Sequence, residues 1–258
     1  MSIVKIFGIV VNTQNFDDQD KVITIYSDKY GKMGLLAKGV NKITSKNRFS
    51  IQLFAFSEFE IFKTNHVNKL SKLKTGYLIK NNFDISLNYN SYVYASSIIG
   101  IIYYNFSPGE KNKLLFEQTV LSIEKLADRY YSIYVYCWWL HKCLFNFGIN
   151  LDLSFCQNCG FKKNQFRKFD FKTNGLLCIN CVDNYTNIDL DFVALILSLQ
   201  NNKHLDQDIN FLIDNILKLL LFLFNFIDAN VGLKIVGKKE ILKQSIFYDL
   251  INENDHKK

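Results

Sequence analysis

An α+β fold is predicted, with a small β-barrel at the N-terminus and helices after it. Residues 1–80 contain five short segments rich in β-branched and aromatic residues, and polar turns separate them. From residue 84 onward, apolar residues recur at helical spacing. Two Cys-x-x-Cys pairs interrupt the helical part. We therefore predict a barrel domain over residues 1–80 and a helical domain over 81–258, with a four-cysteine insertion at 153–184.

The barrel is predicted from the number and length of its strands. Five short antiparallel strands without a strong helix indicate an OB-fold, and an SH3-like barrel would give a similar pattern. Two polar loops separate strands, at Asn12–Asp20 and at Asn41–Ser50. The predicted strands are Val4–Val11, Lys21–Tyr26, Met33–Ala37, Leu53–Phe62 and Lys69–Ile79.

The helical part is predicted from segments on both sides of the cysteines. These segments are Tyr89–Phe106, Glu110–Ala127, Tyr131–Phe147, Asp189–Leu199 and Ile209–Ala229. The most apolar stretch, Ile216–Ile227, is too short to cross a bilayer, and Lys218 and Asn225 interrupt it. It is therefore interpreted as a buried core helix, and no membrane association is expected.

The two cysteine pairs predict a structural metal site. Cys156 and Cys159 are separated from Cys178 and Cys181 by 18 residues. Each pair can present two thiolates, and four thiolates form a closed tetrahedral site that suits Zn²⁺. Because no coordination position stays open, the metal is expected to be structural. An iron-sulfur cluster is an alternative that the spacing leaves open.

The compartment is inferred from the N-terminus and the cysteine chemistry. Met1–Lys5 lacks the apolar core and cleavage site of a signal peptide, which indicates a reducing cytosol. Disulfide pairing of the four cysteines is therefore disfavoured.

Positive charge is concentrated in the predicted barrel. Residues 1–80 hold 13 Lys and Arg against 6 Asp and Glu, whereas the rest of the chain holds 18 of each. The formal net charge of +7 therefore lies entirely in the first 80 residues. A localised basic face indicates nucleic acid or an acidic partner.

The basic run from Lys29 to Ser57 is the main candidate for contacts with phosphates. It contains no acidic residue. Tyr30, Phe49 and Phe54 could stack on unpaired bases. A solvated lysine-rich loop is the alternative interpretation. The candidate DNA-binding cations in this run are Lys32, Lys38, Lys42, Lys46 and Arg48.

The segment between the cysteine pairs is also basic and aromatic. Four phenylalanines, from Phe161 to Phe171, alternate there with lysines and an arginine. Either this hairpin contacts nucleic acid, or it packs its phenylalanines against the helices.

No catalytic constellation is apparent in the sequence. His141 lies on an apolar helix and is interpreted as a satisfied or surface histidine. Cys137 and Cys143 flank two tryptophans and are interpreted as core thiols. No Walker-type phosphate loop is present. Enzymatic activity and a small-molecule substrate are therefore not expected.

Several of these segments resemble the RecO family of bacterial recombination mediators. In the barrel, the similarity lies in Asp20–Ser27, Tyr30–Lys32, Ala37–Val40 and Ser45–Phe49. In the helical part, Phe147–Asp152 leads into Cys156–Gly160 in the family's order, and Gly175–Cys178 leads into the second pair. At Ala55 the sequence departs from the family, which often has proline there.

The resemblance implies a cytoplasmic, nucleoid-associated DNA-repair protein. Such a protein would bind single- and double-stranded DNA, anneal complementary strands, and help RecR load RecA onto DNA coated by single-strand-binding protein. It would contact the C-terminal tail of single-strand-binding protein through its helical domain. Lys32, Lys38, Lys42, Lys46 and Arg48 match the basic barrel region of the family. A zinc-ribbon adaptor that binds only proteins is the alternative, and a hydrolase with an unrecognised site is a third.

Overall fold

The computed structural model divides the chain into two compact units. The first comprises Met1–Ser132 and Leu233–Leu242, and the second comprises Ile133–Gly232 and Lys243–Lys258. The structure describes residues 2–129, 131–162, 165–182, 188–205 and 210–243. The first unit therefore contains the barrel together with the first two helices and a segment that returns from residue 233.

Five strands form a closed barrel in the first unit. They are β1 (Ser2–Asn15), β2 (Lys21–Ser27), β3 (Gly31–Ala37), β4 (Phe56–Lys63) and β5 (Ser71–Lys80). Their order around the barrel is β1-β2-β3-β5-β4, and β4 pairs with β1 to close it. All pairs are antiparallel except β3 with β5, where Leu35 and Leu36 lie opposite Ser71 and Lys72. This five-stranded closed barrel confirms the predicted OB-fold within an α+β chain.

Alternation along the strands creates the barrel core. Side chains at every second position point inward, so Ile23 and Ile25 of β2 meet Leu35 and Ala37 of β3 in the interior. The buried core includes Ile6, Val10, Ile23, Ile25, Leu35, Ala37, Phe59 and Ile61.

Two strand boundaries differ from the sequence-based prediction by three residues or more. Asn12–Asn15 was expected to be loop but belongs to β1, because these residues pair with Lys21–Thr24 beyond an irregularity after Val10. Conversely, Leu53–Ala55 was expected to begin a strand but is irregular. Phe54 has a left-handed backbone with φ of 67°, which a strand cannot contain.

The helices of the first unit begin at asparagine caps. In α1 (Tyr89–Asn105), the side chain of Asn88 accepts a hydrogen bond from the N–H of Ser91. In α2 (Lys113–Ala127), Asn112 does the same for Leu115. Each side chain satisfies one N–H group that has no partner within the helix.

The returning segment is held to the end of α1. The side-chain amide of Asn105 donates to the carbonyl of Lys234 at 3.0 Å and accepts from its N–H at 2.9 Å. Val236 packs so closely on Gly100 that a Cβ there would lie 2.6 Å from a Val236 methyl carbon. Residues 233–242 are therefore an integral part of the first unit.

Over its described residues, the second unit contains three α-helices and a hairpin. The helices are α3 (Ser132–Leu144), α4 (Leu190–Asn201) and α5 (Ile213–Asn230), and the hairpin strands are β6 (Phe166–Asp170) and β7 (Gly175–Cys178). The indole N–H of Trp138 donates to the carbonyl of Asn202 at 2.6 Å. Trp138 is fully buried, as are the aromatic side chains of Tyr134, Tyr136 and Trp139.

The apolar helix near the C-terminus is buried as the sequence predicted. Within α5, residues from Ile216 to Ile227 supply most of its buried side chains. Among the helices that the structure describes, none combines the length and apolarity needed to cross a bilayer.

Candidate nucleic-acid interface and candidate metal centre

The basic loop, residues 38–55 between β3 and β4, is anchored to the barrel at several points. Val40, Ile51 and Ala55 are buried in the barrel core. The side-chain amide of Asn47 accepts from the N–H of Gly76 at 3.0 Å and donates to the carbonyl of Lys74 at 3.4 Å. The loop is thus attached to β5 in the middle of its course.

Four of the five predicted DNA-binding cations lie on this loop, and all four are exposed. None of them forms an ion pair within the part of the chain that the structure describes. They therefore present positive charge to solvent without a direct ion-pair partner among the described residues. These residues are Lys38, Lys42, Lys46 and Arg48.

Lys32, the fifth predicted cation, is placed differently. It lies on β3 and is half-buried, and its ammonium donates to the carbonyl of Tyr103 at 2.6 Å. Burial lowers the pKa of Lys32 below its ordinary value, although Glu110 partly opposes this shift. The structure does not bring Lys32 to the four loop cations.

Two further lysines reach the same surface from β5. Lys72 and Lys74 are exposed, and the bonds of Asn47 join this strand to the loop. Lys74 forms an ion pair with Glu60 at 3.2 Å. Sequence reasoning assigned Lys72 and Lys74 to a strand but not to a site, because the signal that could have found them depends on which loop packs beside that strand.

Acidic residues border one end of the basic loop. Asp17, Asp18 and Asp20 line a cavity of about 670 Å³ together with Lys38 and Lys42. Asp20 accepts a hydrogen bond from the N–H of Gly39 at 2.7 Å, which helps fix the turn that carries Lys38. These carboxylates lower the positive potential at that end, so the strongest uncompensated charge lies toward Lys46 and Arg48.

The three aromatic residues predicted to stack on bases differ in their exposure to solvent. Phe49 is 61% exposed and is available to a ligand. The prediction for Phe54 is wrong, because its ring is only 4% exposed and packs edge-on against Tyr92. Tyr30 packs against the barrel core, and the ammonium of Lys63 lies 4.7 Å from its ring centroid.

The four cysteines of the second unit converge on one point. The Sγ atoms of Cys156, Cys159, Cys178 and Cys181 all lie within 4.8 Å of one another. The Sγ atoms of Cys159 and Cys178 are 3.6 Å apart. A tetrahedral zinc with Zn–S bonds of about 2.3 Å requires neighbouring sulfurs about 3.8 Å apart. The four residues therefore fit a closed four-thiolate metal site.

Backbone turns hold each cysteine pair in place. Gly160 donates to the carbonyl of Cys156 at 2.8 Å, and Cys181 donates to the carbonyl of Cys178 at 3.0 Å. Gly160 has φ of 73°, a left-handed conformation that glycine adopts without strain. The N–H of Gln157 bonds to the carbonyl of Leu176, which ties the first knuckle to β7.

The thiols of this cluster differ in acidity. Burial raises the pKa of Cys156, but hydrogen bonds from the backbone of Cys178, Cys159 and Asn158 outweigh it and lower the pKa to about 6. The hydrogen bond with Cys159 raises the pKa of Cys181 to about 12. Without a cation, repulsion among the negative charges would disfavour ionisation of all four thiols. A divalent metal would balance that charge.

The hairpin between the cysteine pairs packs against helices. The ring centroid of Phe169 lies 4.9 Å from that of Phe222 on α5 and 5.7 Å from that of Phe192 on α4. Phe166 is also buried. Of the two interpretations of this segment, packing accounts for these phenylalanines. Lys163, one of its cations, lies outside the described residues.

Cys137 and Cys143 are buried, and His141 is partly buried. Burial of Cys137 raises the pKa of its thiol well above the ordinary range. His141 was interpreted as satisfied or on the surface, but its Nδ1 is buried and has no partner among the described residues.

Comparison with known proteins accounts for both the barrel and the helical part. Residues 1–81 match the sequence model described as Recombination protein O N terminal, and residues 86–238 match that described as Recombination protein O C terminal. The chain belongs to the RecO family. These matches cover most of the chain, including the closed barrel and the four cysteines.

Curated relatives of the RecO family align with 70% to 96% of the chain. The DNA repair protein RecO of Mesoplasma florum is 36% identical over 253 residues, covering 96% of this chain and 94% of the relative. That of Mycoplasma mycoides subsp. mycoides is 35% identical over 230 residues, covering 87% and 91%. That of Clostridium acetobutylicum is 26% identical over 182 residues, covering 70% and 72%. The chain is thus a RecO-family DNA repair protein.

Proposed function

We propose that this protein is a non-enzymatic recombination mediator. It binds single- and double-stranded DNA and anneals complementary strands. With RecR, it helps load RecA onto single strands coated by single-strand-binding protein. It works in the bacterial cytoplasm at the nucleoid and takes no small-molecule substrate. Membership of the RecO family supports the general role, and the basic loop supports the DNA contact.

The observation that carries the DNA contact is the anchored, uncompensated charge of the basic loop. Lys38, Lys42, Lys46 and Arg48 are exposed and have no ion pair in the described residues. Cations of this kind displace counterions from phosphates and bind without regard to sequence. Annealing needs the repulsion between two strands to fall while their bases stay free to pair. A shallow basic surface meets that need, whereas a deep base-reading pocket would not.

The metal is proposed to be structural Zn²⁺ held by Cys156, Cys159, Cys178 and Cys181. Bound there, the metal would cross-link the two cysteine knuckles. The four thiolates would fill its coordination sphere and leave no position open for a substrate. The knuckles support the hairpin that packs on α4 and α5. The metal would therefore stabilise the second unit.

Protein partners are proposed to bind the second unit. An open cavity of about 660 Å³ lies between the hairpin and α5, with a mainly apolar lining. The ammonium of Lys218 lies at this cavity, 5.1 Å from the ring centroid of Phe171. The apolar surface suits the hydrophobic residues in the C-terminal tail of single-strand-binding protein, and Lys218 itself is paired with Asp189 at 3.0 Å. The apolar lining includes Phe171, Leu217, Leu221, Phe222 and Phe226.

The salt dependence of DNA binding tests the phosphate contacts. Lys46→Ala and Arg48→Ala should each lower the slope of log affinity against log salt by roughly 0.7–0.9. Lys29→Ala is the matched control. Lys29 is exposed in the β2–β3 turn, at the opposite end of β3 from the basic loop. Binding that ignores salt, or equal slope changes in all three variants, would contradict the phosphate contacts.

An annealing assay tests the mediator role. Complementary strands should anneal faster with the protein, without nucleoside triphosphate, and should remain uncut. The same assay with strands coated by single-strand-binding protein tests the partner contact, and Leu221→Glu should impair only that reaction.

A zinc-ribbon adaptor that binds only proteins is the second candidate function. The apolar cavity of the second unit favours it. An adaptor would bind the tail of single-strand-binding protein but would neither retain nor anneal bare oligonucleotides.

A further inference from the structure

The outer face of β2 and β3 is covered within the first unit at the end that carries Tyr26. This side chain is 0% exposed, and its ring centroid lies 6.0 Å from that of Phe106 and 6.1 Å from that of Phe116. Its hydroxyl donates to the carbonyl of Asn112 at 3.4 Å. OB-folds generally bind oligonucleotides on the face of strands 2 and 3, and a strand of nucleic acid on that face would here meet the covering segment at Tyr26.

Backbone contacts fix this cover on the barrel. The N–H of Gly109 donates to the carbonyl of Lys32 at 3.0 Å. A Cβ on Gly31 would lie 1.8 Å from the carbonyl oxygen of Glu110. Farther along β3, a Cβ on Gly34 would lie 2.5 Å from a methyl carbon of Leu70, from the β4–β5 loop. One end of the β2–β3 face, at Tyr26 and Gly31, and its middle, at Gly34, are therefore occupied by the protein itself.

The face of β5 is open instead. Tyr77 is 58% exposed, and Lys72 is also exposed on the same strand. The bond between Asn47 and Gly76 brings the basic loop beside Tyr77. Phe49, the exposed aromatic residue of that loop, lies two residues from Asn47. The exposed ring of Tyr77 therefore lies beside exposed cations of β5 and the basic loop.

The acidic residues next to this surface are compensated. Glu58 lies opposite Tyr77 in the register of β4 with β5, and Glu60 lies opposite Thr75. Glu58 forms an ion pair with Lys5 at 3.5 Å, and Glu60 forms one with Lys74 at 3.2 Å. Their repulsion toward a phosphate chain is therefore reduced, and Lys72 and the basic loop dominate the local field.

We propose that single-stranded nucleic acid crosses the outer face of β5, where Tyr77 stacks on a base while Lys72 and the basic loop contact phosphates. This proposal rests on the proposed DNA binding and adds the path and the stacking residue. Stacking on an aromatic side chain requires an unstacked base, which a single strand offers and an intact duplex does not. Tyr77 is thus a determinant of preference for single strands, whereas the cations serve both forms.

The first test compares the affinities of an oligothymidylate and of a duplex of equal length. Tyr77→Ala should weaken binding of the single strand by about fivefold or more, because stacking of one base contributes that much. Duplex binding should stay within about twofold of wild type on the same principle. Tyr77→Phe should bind both as wild type does. Tyr89→Ala is the control, since Tyr89 is also exposed but lies on α1.

The second test maps the path directly and does not depend on a variant that folds. An oligothymidylate carrying 5-iodouracil should cross-link under ultraviolet light to β5 or the basic loop.

A third test reverses one charge at a time. Lys72→Glu should weaken binding of the oligothymidylate more than Lys29→Glu does.

The outcomes separate this proposal from the proposed function. If the Tyr77→Ala variant binds the single strand as tightly as the wild-type protein does, the proposal is overturned. Cross-links to Val22–Thr24 or Lys32–Gly34 would overturn it too, as would equal effects of Lys72→Glu and Lys29→Glu. Salt-dependent DNA binding by the wild type would then still support the mediator role. Failure of the wild type to bind any oligonucleotide would instead remove the proposed function itself.

Discussion

The side-chain oxygen of Asn47 accepts a hydrogen bond from the backbone N–H of Gly76 at 3.0 Å. This bond joins the middle of the basic loop to β5, and the amide nitrogen of Asn47 adds a second bond to Lys74. Through this pair, cations that are distant in sequence share one surface.

Asn47→Ala should therefore weaken DNA binding without removing any charge. The loss of these hydrogen bonds should lower the free energy of unfolding by about 1–2 kcal/mol. The loop cations would keep their number but lose their fixed spacing. Thermal unfolding and oligonucleotide titration measure the two effects. Asn68→Ala, at an exposed position of the β4–β5 loop, is the control. Unchanged affinity together with lower stability would show that the attachment does not matter for binding.

Lys32→Met should affect stability more than DNA affinity. The ammonium of Lys32 donates to the carbonyl of Tyr103, and methionine would leave that carbonyl without this partner. We expect a loss of about 1 kcal/mol in the free energy of unfolding. The salt slope of DNA binding should change less than in Lys46→Met. A slope change as large as that of Lys46→Met would make Lys32 a phosphate contact after all.

Serine at any of the four cluster cysteines should remove the metal and destabilise the second unit. Metal analysis of the wild type should give about one zinc per chain, because four thiolates bind one Zn²⁺. Cys156→Ser should lose that zinc and unfold at lower temperature. Cys137→Ala is the matched control, since Cys137 is also buried but lies outside the cluster. A wild-type protein that stays fully folded after metal removal by a chelator would argue against a structural metal.

His141 predicts a loss of stability in mild acid. Burial lowers its pKa to about 4, and Lys142 adds to the shift. The unfolded chain therefore binds a proton more readily than the folded chain between pH 6.5 and about 4. Above pH 6.5 His141 is neutral in both states and stability is at its full value. As the pH falls through that window, the free energy of unfolding decreases by up to about 3 kcal/mol.

Denaturant titrations at a series of pH values measure this effect. His141→Leu should remove most of the pH slope in the window, whereas His66→Leu, at an exposed turn, should not. Equal slopes in wild type and His141→Leu would mean that another group titrates.

Gly31→Ala should destabilise the first unit far more than Gly39→Ala. Both glycines have left-handed backbones, with φ of 61° and 63°, so both substitutions carry the same conformational strain of about 1 kcal/mol. Only at Gly31 would the added Cβ meet a backbone carbonyl, that of Glu110, whereas at Gly39 the nearest atom is 3.8 Å away. The difference between their unfolding free energies isolates the collision. Equal losses would mean that the segment at Glu110 moves aside at little cost.

Local patterns in the sequence predict much of the fold. The β-branched residues of Lys21–Tyr26 and the helical spacing of apolar residues in Glu110–Ala127 are local signals, so these elements could be located from the sequence. The ends of β1 could not, because the polar residues Asn12–Asn15 are extended only through their pairing with β2. The left-handed backbone of Phe54 gave no local signal either.

Some residues of the candidate sites could likewise be predicted from the sequence, and others could not. The cysteines could be predicted because metal ligation fixes both residue type and spacing, and their sulfurs do converge. The loop cations could be found from charge alone. Lys72 and Tyr77 could not, because their relation to the loop depends on the bond between Asn47 and Gly76. Nor could the engagement of Lys32, since its partner Tyr103 lies 71 residues away in the chain.

Because residues 233–242 return to the first unit, that unit cannot complete its folding until residues 133–232 of the second unit have been synthesised. The clamp between Asn105 and Lys234 cannot close until the ribosome has made the whole intervening stretch. At typical translation rates, the roughly hundred residues of the second unit delay that closure by about 5–20 seconds. During this interval the surface of α1 around Gly100 has no Val236 to cover it. Helix α1 of the first unit must therefore wait for this packing partner while the metal-binding unit is still emerging.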